Sequence, residues 1–98
     1  MTQISTDSAA YQAAHHALSG RFNGDIAATA ALIAAELAET QRHYGLTFMR
    51  LLTLDAGHRA STVEHITTRV GEVRGGVNHA RQMVDTAVLA AARALWAS

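Results

Sequence analysis

Residues Val63 to Leu95 read VEHITTRVGEVRGGVNHARQMVDTAVLAAARAL, and the spacing of the apolar side chains in this stretch decides the fold. Val63, Ile66, Val70, Val73, Val77, Ala80, Val84, Ala87, Ala91 and Ala94 follow one another three or four residues apart. That is the seam of a long helix lying along a second helix. The seam runs over Gly71, Gly75 and Gly76, each of which costs an isolated helix about 1 kcal/mol relative to alanine, so packing against a neighbour has to hold this helix. Gly75-Gly76 reads either as a hinge or as a bare patch where another helix comes close. Gly71 and Gly75 together make the small-x-x-x-small spacing that lets backbones touch.

Toward the N-terminus the same spacing returns in Ile26, Ala30, Ile33, Leu37, Thr40, Tyr44, Thr47, Leu51 and Leu54. Between the two seams lies Asp55-Ala56-Gly57-His58, where Gly57 can take the left-handed conformation that ends a helix. Ser61-Thr62-Val63-Glu64 comes next and fits a capping box. A short connection makes antiparallel neighbours. The expected fold is therefore all-α, an antiparallel hairpin of long helices over 24–55 and 58–97, with arms of about 45 Å and about 55 to 60 Å at 1.5 Å per residue.

Residues 1–22 are expected to add a short N-terminal helix carrying Tyr11, Ala14 and Leu18, capped by Ser5, Thr6 or Asp7. Ser19 to Gly24 reads as a break bracketed by Gly20 and Gly24, with Asn23 or Asp25 capping the first long helix. The alternative is a kinked but continuous helix. The chain of 98 residues makes a single helical domain.

Composition narrows the classes of function. Eight basic and eight acidic residues give a formal charge of zero, which argues against nucleic acid and against an anionic membrane surface as partners. There is no cysteine, so neither a disulfide framework nor thiolate chemistry is available. No apolar run precedes Arg21, so a cleavable secretory signal is not expected. No window is long and apolar enough to span a bilayer, since Asp25 to Leu37 is already interrupted by Glu36. A soluble chain is expected, either cytoplasmic or exported without a cleavable signal.

Chemistry is sparse. His58, His65, Glu72 and His79 stand seven residues apart on the side of the helix away from its seam, and one heptad is about 10 Å, too far for two neighbours to share a metal directly. A metal site would need partners from the facing helix, which leaves Glu36, His43, His65 and His79 as the candidate ligands. No glycine-rich phosphate cradle and no nucleophile beside a base is present. The sequence reads as non-enzymatic and without a cofactor.

A two-helix hairpin leaves apolar surface uncovered. On the second arm Met83, Val88, Leu89, Leu95 and Trp96 fall outside the seam, and on the first Leu46, Phe48 and Met49 widen the stripe. These eight residues form the expected partner-binding surface, completing a bundle by homo-oligomerisation or by a heterodimer with another helical protein. A structural subunit of a larger assembly, or a metal-binding bundle, are the alternatives.

Length near one hundred, absence of cysteine, alanine-rich long helices and one central turn together make the chain resemble the small helical-hairpin proteins of bacterial type VII secretion, the WXG-type proteins and their relatives. Here the turn reads Asp55-Ala56-Gly57 with no tryptophan before the glycine, and no tyrosine comes after Tyr44. The resemblance implies dimerisation into a four-helix bundle and a role as secreted partner or adaptor.

Overall fold

One helix, α5 (Gly76–Ala97), packs against all four of the others and carries the centre of the core. Its buried residues Ala80, Val84, Ala87, Val88, Ala91 and Ala92 keep the three-four spacing of the sequence. The computed structural model describes residues 8–97, and these are helical with no strand among them. The caps expected at Ser5, Thr6 and Asp7 lie outside the described residues.

Helix α1 (Ala9–Leu18) starts at Ser8, whose hydroxyl accepts the Tyr11 amide at 3.1 Å, and buries Ala10, Ala14 and Leu18. Alanine at the contact lets two helix axes approach closely, and the α1–α5 contact is the most extensive in the molecule. The break at 19–24 is present: Gly20 takes φ 76°, and Asp25 caps α2 (Ile26–Tyr44) by accepting the Ala28 amide at 3.0 Å. Helix α2 contributes Ile33 and Leu37 to the core, both fully buried.

The two long arms of the expected hairpin are each broken. The first is divided at Gly45, whose φ of 85° and ψ of 177° end α2 and set the direction of α3 (Leu46–Leu52). The second is divided at residues 68–75, between α4 (Ala56–Thr67) and α5. There the α4 spiral relaxes into bonds from Arg69 N–H to the Ile66 carbonyl and from Val70 N–H to the Thr67 carbonyl, and Gly75 and Gly76 turn the chain at φ 98° and 79°. Rods of about 45 to 60 Å do not fit a body of 34 × 28 × 23 Å. By folding each arm back on itself, the chain covers within one molecule much of the surface that straight arms would expose.

The central turn also sits earlier than expected. Asp55, not Ser61, caps α4: its carboxylate accepts the His58 amide at 3.0 Å, while Gly57, Ser61 and Glu64 all lie within the helix and Gly57 has no positive φ. A carboxylate at the first available cap position leaves nothing for the Ser-x-x-Glu pattern to do.

One buried ion pair ties three helices. Arg59 on α4 is 7% exposed; its Nε and Nη2 donate to Asp85 of α5 at 2.8 and 3.2 Å, and Nη1 donates to the Leu52 carbonyl at the end of α3 at 3.1 Å. Among the described residues no buried side-chain nitrogen or oxygen lacks a hydrogen-bond partner.

Candidate interaction surface

Helix α3 is seven residues long and buries only Met49 and Leu52, three apart on one side. On a helix that short the opposite side stays outside, and here it mixes apolar with polar side chains. Leu46, Leu51 and, in the turn after the helix, Leu54 are exposed, with Thr47 and Arg50 between them. Rings flank this crest. The Tyr44 ring, 70% exposed, lies 5.2 Å from that of Phe48, and the Arg50 guanidinium sits 5.4 Å from the centroid of the Trp96 ring, which is 41% exposed. Of the six large apolar side chains left exposed among the described residues, Val77 alone lies away from this end.

The sequence-derived surface is thus partly kept and partly turned inward. Leu46 and Trp96 are exposed, and Phe48, Met83, Leu89 and Leu95 are half-buried. Met49 and Val88 are wholly inside the chain's own core and cannot meet a partner in this fold. Tyr44, Leu51 and Leu54, expected on the inner seam, are outside instead. For Leu51 and Leu54 the cause is Gly45: its turn re-aims α3, so that Met49 and Leu52 face inward in their place, while Tyr44 stands at the exposed end of α2. A glycine in the middle of an unbroken apolar pattern was the available signal.

Beside the crest, a shallow groove of about 390 Å³ runs between α2 and α4, lined by Glu36, Tyr44, Phe48, His58, Ser61 and His65 among others. His65 Nδ1 lies 3.0 Å from the Glu36 carboxylate, which also has Arg69 at 3.9 Å. His43 does not join them: it pairs with Glu39 one turn away at 2.9 Å. His79 is remote, at the α1–α2 connection, where its Nε2 accepts the Asn23 amide at 3.3 Å and its ring stacks on Phe22 at 6.0 Å. The four candidate ligands Glu36, His43, His65 and His79 therefore do not converge, and among the described residues no group of three or more His, Asp or Glu is placed to hold a metal ion. The break at 68–75 is the reason, since it takes His79 off the line of His58 and His65.

The exposed carboxylates on this side are held charged by their partners. Glu39 is shifted below its ordinary value chiefly by the His43 hydrogen bond, with Arg42 adding to it. Asp55 is lowered by its bonds from the His58 side chain and amide, and Glu64 by the Arg81 guanidinium. A carboxylate whose pKa is lower folded than unfolded stabilises the fold above its unfolded value and loses that contribution as pH falls through the folded one. Thermal melts should therefore show no loss from these three groups above about pH 5 and a falling midpoint below it. The combined Glu39→Gln, Asp55→Asn, Glu64→Gln variant should have a flatter acid limb, and an unchanged limb would show that these pairs carry none of it.

The fold and its surface define a small all-α domain in which a central C-terminal helix is wrapped by four shorter ones. Among the described residues no helix is long and apolar enough to cross a membrane. No known protein family, no curated protein and no solved structure matches the chain.

Proposed function

We propose that this chain is a non-enzymatic helical interaction module whose partner is a second copy of itself, docked through the α3 crest. The observation that carries the reading is the concentration of exposed large apolar side chains, Leu46, Leu51, Leu54, Tyr44 and Trp96, on and around one seven-residue helix. They gather at one end of the molecule instead of standing singly, and clustered exposed apolar side chains mark interaction sites.

Charge favours a copy of the same chain over a strongly charged partner. The formal charge is zero, so two copies do not repel at long range. The crest carries a cation, Arg50, and an anion, Asp55, follows Leu54. A two-fold interface places the same patch on both sides, so each Arg50 can face the other chain's Asp55.

Sedimentation between about 1 and 200 μM, a range that brackets micromolar association, tests the proposal. The parent chain should go from monomer to dimer across it. Tyr44→Asp with Leu54→Asp, the two most exposed of these side chains, should remain monomeric throughout while keeping the parent's helical circular dichroism. A parent that stays monomeric at the highest concentration overturns the reading.

A further inference from the structure

The bend between α4 and α5 interrupts an apolar seam that does not itself stop. Val63 and Ile66 before the bend and Ala80 and Val84 after it are buried, whereas Val70 and Val73 within it are half-buried and Val77 is 58% exposed. Threading the same spacing through a straight backbone would put all seven on one face. Apart from the packing of Val70 and Val73 against the core and the His79 ring stacked on Phe22, the bent form is held by few hydrogen bonds. Arg74 N–H donates to the Asn23 carbonyl at 3.1 Å, Asn23 N–H to His79 Nε2 at 3.3 Å, and Gly76 N–H to the Val73 carbonyl at 3.2 Å. Gly75 and Gly76 are both in the left-handed region.

We propose that residues 68–75 are a hinge through which two copies of the chain exchange α5. If the connection becomes helical, α4 and α5 join into one rod over 56–97, about 60 Å long, and α5 leaves its place against the other four helices. A second copy opened the same way supplies its own α5 to that place. Every core contact of α5 is then re-formed between chains, and only the connection changes conformation. This is the low-cost route to a dimer that exchange of an identical element offers. At the dyad Val70, Val73 and Val77 of the two rods meet. Sequence and structure are reconciled on this view: the continuous seam belongs to the exchanged form and the bend to the closed one.

The test uses the absence of native cysteine. Ala60 on α4 and Gln82 on α5 line one groove between those helices. Ala60→Cys with Gln82→Cys, joined by a short bismaleimide, therefore links within one chain in the bent form. In the exchanged dimer the two positions are about 33 Å apart along a single rod and are neighbours only between chains, so a denaturing gel separates the two states. Adding Gly75→Ala and Gly76→Ala, which strains the bend and favours the helix, should turn the product after refolding at high concentration from monomer to covalent dimer. Should that variant lose its helical circular dichroism, Gly71→Ala decides. A Cβ at Gly71 meets nothing within 4 Å in the bent form and its φ is not positive, and alanine there should raise the exchanged form about fivefold per chain. Products linked only within one chain in every folded variant overturn the proposal. A dimer docked through the α3 crest links within each of its chains, so this readout stands apart from the test of that crest.

Discussion

Replacing Asp85 by alanine should lower the unfolding free energy by about 3 kcal/mol, the low end of what removing one partner of a buried ion pair costs. For a domain of this length that corresponds to a thermal midpoint lower by about 12 to 24 °C. The reason lies with the residue left behind. Arg59 is buried and cannot shed its proton, and without Asp85 its guanidinium keeps only the Leu52 carbonyl as acceptor. Asp85 is itself about one-third exposed, so water can reach the vacated position, and the upper end of the range does not apply. Pairing Asp85→Leu with Arg59→Met should restore most of the loss, because an apolar pair of similar volume needs no partner. Circular dichroism melts of the single and double variants measure both. A single variant within about 1 °C of the parent, far below the shift expected for a domain of this size, would mean that this bridge does not hold α3, α4 and α5 together. The Arg81–Glu64 pair on the same two helices makes the contrast. It has the same 2.8 Å contact but is exposed on both sides, and Glu64→Gln should lower the midpoint at neutral pH by only a small fraction of the Asp85→Ala shift.

How much of the fold is legible in the sequence depends on how far each signal reaches. Composition and a three-four apolar spacing are properties of whole segments, and they carry the all-helical class, the C-terminal half of α5 and the break before Asp25, where two glycines and a cap coincide. The bends at Gly45 and at 68–75 are local events inside segments whose periodicity continues unbroken. A helix that stops and restarts within a turn or two preserves apolar spacing while changing direction, so the pattern alone does not register it. The candidate surface inherited the error. One unbroken register puts Met49 on the surface and Leu51 and Leu54 in the core, the reverse of what burial shows, whereas Val88 is buried because the other helices cover α5 on more than its seam side. Leu46 and Trp96 came out correctly as exposed because each stands at the edge of its stripe. The scattered histidines could not be grouped without the bends, since whether His79 shares a face with His65 depends on them.

Gly45→Ala separates the two readings by the sign of its effect. If residue 45 were inside a continuous helix, alanine would stabilise the protein by about 1 kcal/mol, the difference in helix propensity. In the structure Gly45 has φ 85° and ψ 177°, a region open essentially to glycine alone, and a side chain held there costs about 1 to 3 kcal/mol. A Cβ at this position meets nothing within 4 Å, so the cost is backbone strain with no steric part. We expect a loss of about 2 kcal/mol and a midpoint lower by about 8 to 16 °C. D-alanine introduced by chemical ligation makes the mirror-image test, because its backbone favours positive φ as an L-residue disfavours it, and it should recover most of the loss. Gly45 also sets which side of α3 faces out, so relaxing the turn toward a straight helix would carry Leu51 and Leu54 inward and remove the crest. The L-alanine variant should therefore lose self-association as well as stability, while the D-alanine protein keeps both. A stabilised L-alanine variant would mean that α2 runs on through α3, with Tyr44, Leu51 and Leu54 on its inner face.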